Sequence, residues 1–80
     1  MWRVRAMAAT ALAGTAGPEA TGAMLPLLED AAWQVRLPAV EYLARAGTPA
    51  AMEAVRARRN DPHIAVRSAA RAALEEPGSP

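Results

Sequence analysis

The feature that most constrains this 80-residue chain is a period of 31 residues that runs through it without a gap. The segments WRVRAMAATALA, WQVRLPAVEYLA and IAVRSAARAALE begin at Trp2, Trp33 and Ile64, and their valine, arginine and leucine positions coincide. A fixed period of this length indicates stacked supersecondary units, each burying its apolar face against its neighbours. The chain is therefore expected to be a repeat array, stabilised by contacts between adjacent units.

Each unit is predicted to contain two helices, the first called A and the second called B. Helix A is expected at about 2–13, 33–46 and 63–75, and helix B at about 19–29 and 50–60. Glycines at 14, 17 and 47 mark the turns from A to B, and Thr48 before Pro49 is suited to cap a helix start. Two prolines depart from the pattern, because Pro26 and Pro38 should each kink or shorten the helix that contains them. The absence of Phe and Cys fits closely packed helices without disulfides or thiolate metal sites.

The repeated pattern D-x-x-[WI]-x-V-R-x-x-A-x-x-x-L, followed by a glycine-containing turn, resembles HEAT repeats. The short period is most similar to the subgroup called PBS-lyase HEAT-like repeats, and the resemblance covers nearly the whole chain. It implies an all-α fold, a short right-handed α-solenoid of about two and a half helical hairpins in the order A-B-A-B-A. The repeat domain is expected to span 1–76, with units 1–31, 32–62 and 63–76 and a disordered tail at 77–80. Proteins with such repeats include bilin-lyase subunits, scaffolds and adaptors, so the fold alone does not fix the function.

The repeated arginines carry the strongest structural expectation. Arg36 falls between two apolar arcs of its helix, and a charge there needs a partner. In the HEAT pattern the matching arginine and the turn aspartate form a ladder between neighbouring units. The resemblance therefore implies a structural ladder that consists of Asp30, Arg36, Asp61 and Arg67, in which Arg36 and Arg67 bond Asp30 and Asp61 or backbone carbonyls. No turn aspartate precedes Arg5, which makes it the best candidate for a binding role among the repeated arginines.

The two ends of the array are expected to differ. At the C-terminal end, apolar positions of earlier units become polar, as where Val40 gives way to Arg71, and this suits a capping unit. At the N-terminal end no B helix precedes the first A helix, which leaves a broad apolar face. Such a face usually marks an interface. We expect it to bind a second copy or another protein, unless the chain is the last part of a longer array. The predicted interface residues are Trp2, Val4, Arg5, Met7 and Ala11.

A basic patch offers an alternative function, the binding of nucleic acid or of an acidic protein surface. Its residues are Arg56, Arg58, Arg59 and Arg71. A solvated cap is the simpler interpretation, because the net charge is only +1 and cations suit a helix C-terminus. Nucleic acid is the less favoured partner, since three or four phosphate contacts give a modest salt dependence.

Catalytic chemistry is not expected from this sequence. The single histidine, His63, lies in a turn before a helix, and no nucleotide-binding, zinc-protease or serine-hydrolase motif occurs. We therefore expect no enzymatic activity, no cofactor, no metal and no small-molecule substrate. The N-terminal apolar run is in phase with the repeat, which argues against a signal peptide. No segment is apolar enough to span a bilayer, and a cytoplasmic location is expected.

Overall fold

The computed structural model describes residues 1–15 and 20–75 of the chain, and these residues form helices joined by short turns. The A helices are α1, α3 and α5, and α4 is the B helix of the second unit. In the first unit the B helix consists of one α-helical turn, α2, and a 3-10 helix, η1. The bounds are α1 Trp2–Thr15, α2 Thr21–Met24, η1 Leu25–Glu29, α3 Trp33–Ala46, α4 Pro49–Ala57 and α5 Ile64–Glu75. The prediction of a short all-α helical repeat is confirmed.

Helix α3 is the centre of the array. It packs against α1 on one side and α5 on the other, and it also contacts α2, η1 and α4. Leu43 and Val40 are completely buried there, together with Met24 from α2 and Val55 from α4. Because α1 packs extensively only against α3 among the described helices, the apolar core lies between α3, α5 and the B helices of the first and second units. The buried core cluster comprises Ala20, Met24, Leu28, Ala39, Val40, Tyr42, Leu43, Ala51, Val55, Val66 and Ala70.

The two prolines have different outcomes. Pro26 lies in the first turn of η1, and the B helix of the first unit is shortened to one α-helical turn before it. Pro38 lies inside α3, yet α3 continues to Ala46, so Pro38 does not shorten its helix. Pro38 is buried among packed neighbours, and tertiary packing of this kind outweighs the lost backbone donor.

The turn between α3 and α4 follows the expected chemistry. Gly47 has a φ of 66°, a left-handed conformation that favours glycine, and its N–H donates to the carbonyl of Leu43 at 3.1 Å. Thr48 caps α4 by accepting from the backbone N–H of Ala51 at 3.2 Å. In the first unit, by contrast, Gly14 lies within α1, which extends to Thr15. The predicted turn residues at 17 and 18 and the predicted tail at 77–80 lie outside the described residues.

Candidate functional site

The most buried charged contact joins Arg36 of α3 to Asp61, which precedes α5. The guanidinium donates to both carboxylate oxygens, from Nε at 2.9 Å and from Nη2 at 3.0 Å. The two side chains are only 9% and 0% exposed. A bidentate pair of this kind satisfies two groups whose burial alone would be costly. It therefore fixes the position of α5 relative to α3.

Arg36 also binds the turn before its own helix. Its Nη1 donates to the backbone carbonyls of Asp30 at 2.7 Å and Ala31 at 3.1 Å. Arg67 repeats this contact one unit later, donating from Nη1 to the carbonyl of Asp61 at 2.9 Å. Each of these two arginines thus binds carbonyl oxygens of the turn before its helix, and Arg36 also binds the carboxylate of Asp61 in the turn between α4 and α5. The unpaired carbonyls at the end of a helix are natural acceptors for such cations.

Arg5 has an aspartate partner, contrary to the reasoning that singled it out. It donates to Asp30 from Nε at 2.6 Å and from Nη2 at 3.0 Å. The partner follows the arginine by 25 residues, as Asp61 follows Arg36, so the lack of a preceding aspartate did not leave Arg5 unpaired. The Arg5–Asp30 pair is more exposed than the Arg36–Asp61 pair, with 44% of the Arg5 side chain accessible. We call Arg5, Arg36, Arg67, Asp30 and Asp61 the arginine ladder, and each arginine–aspartate pair in it a rung.

The ladder lowers the pKa of both aspartates. For Asp30 the main cause is the hydrogen bonding from Arg5, supported by the N–H of Ala32. For Asp61 burial on its own would raise the pKa. The hydrogen bonds from Arg36 and from the N–H of His63, together with the nearby positive charges, outweigh burial and lower it. The Asp30 pair in turn raises the pKa of Arg5.

These shifts predict that the fold is sensitive to acid. Since the folded pKa of Asp30 and Asp61 lies below the unfolded value of about 4, the ladder stabilises the fold above that pH. The stabilisation is lost as the pH falls through the folded pKa. The free energy of unfolding, measured by urea denaturation, should be nearly constant from about pH 7 to 5 and fall below about pH 4. A constant value down to about pH 2.5 would contradict the assignment.

Helix α1 presents an apolar face to solvent, which we call the outer face. Its members are Val4, Met7, Ala8 and Ala11, and all four are exposed. Val4 is 64% exposed and Met7 72%, whereas Val35 and Val66, the repeat equivalents of Val4, are fully buried. The valine position of the repeat is therefore buried in the second and third units and exposed in the first.

The predicted interface residues do not form one face. Trp2 lies two residues from Val4, and residues with this spacing point to opposite sides of a helix. Trp2 and Arg5 line a shallow recess with Trp33 of α3, whereas Val4, Met7 and Ala11 belong to the outer face. Trp2 is 39% exposed, and the guanidinium of Arg3 lies 5.5 Å from its ring centroid.

The turn before α5 explains the packing of the second tryptophan. The rings of Trp33 and His63 are stacked, with centroids 4.2 Å apart and planes 13° from parallel. Nδ1 of His63 accepts from the N–H of Ala65 at 3.0 Å, so the histidine caps the start of α5. The equivalent partner position for Trp2 is Ala32, which has no ring. Trp33 is therefore a packing residue, and Trp2 keeps an open flank.

The predicted basic patch is largely occupied by contacts within the chain. Arg58 donates to the carbonyl of Leu28 at 2.8 Å, and Arg71 donates to the carbonyl of Arg59 at 2.8 Å. Arg56 lies 3.5 Å from Glu53, and both side chains are exposed. These contacts hold helix ends together.

Two contacts between units were not predicted from the sequence. Arg45 donates to the carbonyl of Ala13 at 2.6 Å, joining α3 to α1. Arg58 was assigned only to the basic patch, although its guanidinium joins α4 to the end of η1. A basic residue aligned with the C-terminal end of a neighbouring helix is the only sequence signal for either contact.

Within residues 1–15 and 20–75, no three His, Asp or Glu side chains come close enough to hold a metal ion. None of the described helices combines the length and the apolar character needed to cross a bilayer. In comparisons with known proteins, a family model described as HEAT repeats matches residues 1–75. No curated protein and no solved structure matches the chain.

Proposed function

Because the chain belongs to the HEAT repeat family, we propose that it is a non-catalytic interaction module that binds protein through the outer face of α1. HEAT repeats generally act as protein-interaction scaffolds. The bound protein is either a second copy of the chain or a different partner. A cytoplasmic location and a place in the PBS-lyase-like subgroup remain predictions from the sequence.

The observation that carries this proposal is the exposure of one repeat position. Val35 and Val66 are completely buried, while Val4 in the same position is 64% exposed. Ala8 is likewise exposed, whereas its equivalents Ala39 and Ala70 are buried. A contiguous apolar surface on a small domain is a typical protein contact site, since covering it removes apolar area from water.

We expect Val4→Asp and Met7→Asp to weaken binding by about tenfold or more, because each places a charge in an apolar interface. Both side chains are exposed in the free chain, so its stability should change by less than about 1 kcal/mol. Light scattering over a range of concentrations measures self-association, and capture of a partner on immobilised chain measures binding to other proteins. Ala72→Asp is the matched control, since it adds the same charge to an exposed position of α5.

The two kinds of partner give different results. A dimer that dissociates with Val4→Asp supports self-assembly, and a monomer whose partner capture is lost with Val4→Asp supports a different protein. The proposal fails if Val4→Asp and Ala72→Asp behave alike in both measurements. Binding to an acidic surface or nucleic acid would instead weaken as the salt concentration rises and depend on Arg59, which is exposed.

A further inference from the structure

The turn before α3 is built like the turn before α5. The backbone N–H of Ala32 donates to Asp30 at 2.9 Å, and the N–H of His63 donates to Asp61 at the same distance. Each aspartate also accepts two hydrogen bonds from an arginine of the preceding A helix. The two turns and their rungs therefore repeat one geometry, and a group in one turn has a counterpart in the other.

One side chain of the turn before α5 has no functional counterpart one unit earlier. The imidazole of His63 stacks on Trp33 with ring centroids 4.2 Å apart, and its Nδ1 accepts from the N–H of Ala65 at 3.0 Å. In the first unit, Ala32 stands in the place of His63 and Trp2 in the place of Trp33. The methyl group of Ala32 can neither form a ring stack with Trp2 nor accept a hydrogen bond.

This difference coincides with a shallow recess between α1 and the start of α3, which we call the Trp2 recess. No side chain caps the start of α3, and within residues 1–15 and 20–75 no acceptor contacts the backbone N–H of Gln34. Gln34 corresponds to Ala65, whose N–H is bound by the imidazole in the second unit. The recess is lined by Trp2, Arg5, Ala31, Ala32, Trp33 and Gln34.

We propose that the Trp2 recess binds the neutral imidazole ring of a histidine from a partner polypeptide. The ring stacks on Trp2 and accepts from the N–H of Gln34, in the way that His63 contacts Trp33 and Ala65. The recess lies on the side of α1 away from the outer face. It is therefore a second contact site, which goes beyond the proposed function and does not depend on it.

Histidine fits both parts of the recess. Its aromatic ring itself contains a hydrogen-bond acceptor, whereas phenylalanine has none, the indole of tryptophan only donates, and tyrosine carries its oxygen outside the ring. A ring without an acceptor would leave the N–H of Gln34 covered and unpaired, which is costly. The neutral form is required, because imidazolium has no acceptor and would lie next to the cation of Arg5.

The chain does not supply this ring itself. Residues 16–19 and 76–80 contain no aromatic residue and no histidine. Among the described residues, Tyr42 is buried, and Trp33 and His63 are stacked on each other. Trp2 of a second copy offers a ring, but its indole cannot accept. Because the recess is shallow, a free ring would have few contacts, whereas a polypeptide adds those of its neighbouring residues.

The first test titrates the ¹⁵N-labelled chain at pH 8 with N-acetyl-histidine N′-methylamide, a histidine with blocked ends. Binding of a single residue will be weak, and NMR chemical-shift mapping suits it. We expect saturable shifts of the backbone N–H of Gln34 and the indole N–H of Trp2. The N–H of Ala51, which Thr48 already binds, should not shift. A lack of saturable shifts at Gln34 would overturn the inference.

A second probe, N-acetyl-phenylalanine N′-methylamide, tests the acceptor. We expect it to bind at least about fivefold more weakly than the histidine probe at pH 8. Lowering the pH to 5.5 should weaken the histidine probe about tenfold, because a peptide histidine has a pKa of about 6.5. The phenylalanine probe should not respond, and it controls for any change in the chain, His63 included. Equal binding of the probes at pH 8, or a histidine probe insensitive to pH, would overturn the acceptor role.

The charged groups around the recess should not change over this range of pH. Arg3 and Arg5 come from α1, and Asp30 comes from the turn before α3. Arginine stays protonated in proteins, and the hydrogen bonding from Arg5 lowers the pKa of Asp30. The change in affinity therefore reports the protonation of the probe.

Variants of α1 test the ring stack. Trp2→Leu should weaken binding of the histidine probe about fivefold or more, because it removes the aromatic partner. Met7→Leu changes an exposed apolar residue of the outer face and should bind like the wild type. Val4→Asp should also bind the probe normally, so the failure of the proposed function and the failure of this inference are distinguishable. Equal affinities of Trp2→Leu and Met7→Leu would contradict the stack.

The variant Ala32→His rebuilds the contact of the second unit within the chain. Its imidazole should fill the Trp2 recess and abolish binding of the histidine probe. Its melting temperature should exceed that of Ala32→Leu, which adds bulk without an acceptor. The inference is wrong if Ala32→His binds the probe like the wild type or melts no higher than Ala32→Leu.

Two further measurements identify the source of the ring. A peptide with histidine between two alanines on each side should bind more tightly than imidazole alone, because the flanking residues add contacts. Equal affinities would indicate a small ring ligand and overturn the polypeptide partner. A dimer, seen by light scattering, that dissociates with Trp2→Leu would also overturn it, since a second copy would then fill the recess.

Discussion

Replacing Asp61 by asparagine should lower the free energy of unfolding by about 3–5 kcal/mol, the range for breaking a buried ion pair. The amide keeps an oxygen for the N–H of His63, but it cannot balance the charge of Arg36, whose side chain is only 9% exposed. A domain of this size has only about 4–12 kcal/mol in total. Asp61→Asn should therefore lose a large part of the stability of the fold, and thermal or urea denaturation will show a much lower midpoint.

Asp30→Asn is the matched control, because it makes the same change at the same position of the repeat. The Arg5 side chain that Asp30 binds is 44% exposed, and solvent-exposed ion pairs contribute about 0–1 kcal/mol. We therefore expect a loss below about 1 kcal/mol for Asp30→Asn. Equal losses for the two variants would mean that burial does not decide the strength of the rungs.

Leu43→Ala should cost about 3–5 kcal/mol, the second large effect that we expect. The Leu43 side chain is completely buried at the centre of α3, within the core cluster. Its removal leaves a cavity that packed helices on several sides cannot easily collapse into, so the transfer and cavity terms add. Urea denaturation should show a lower midpoint with little change in the slope.

The repeat supplies two controls for this substitution. Leu12 and Leu74 occupy the position of Leu43 in the first and third units, and both are only partly buried. Leu12→Ala and Leu74→Ala should each cost about 1–2 kcal/mol, in proportion to the smaller apolar area that they bury. Similar losses in all three units would contradict the placement of the core around α3.

The fold could be predicted from the sequence because the same pattern of apolar, arginine and turn residues recurs every 31 residues. The period assigned equivalent positions to the three A helices, and local chemistry placed the turn at Gly47 and the cap at Thr48. Pro38 does not shorten α3 as its missing N–H suggested, because propensity reasoning does not include the neighbours among which Pro38 is buried. Features set by local sequence, such as the turn at Gly47 and the cap at Thr48, were predicted correctly. The effect of Pro38, which depends on packing between helices, was not.

The candidate site was predicted less completely than the fold. The exposure of Val4 and Met7 could be predicted by counting helices, since residues 1–80 contain no B helix before α1. The separation of Trp2 from that face depends on the rotation of α1 on α3, which the sequence pattern left open. The partner of Arg5 was missed because the ladder was expected to pair an arginine with the aspartate before it, whereas Arg5 and Arg36 pair with the aspartate 25 residues after them.

The arginine ladder has a consequence for how such a chain can evolve. Every full unit brings its own arginine and its own aspartate, so a duplicated unit meets complementary groups on both sides wherever it is inserted. Lengthening in steps of 31 codons would add rungs without requiring new partners. Insertion of a single residue within a unit would instead turn the following side chains by about 100° around the helix. It would break the rungs on both sides of that unit, so the ladder favours growth of the gene by whole repeats.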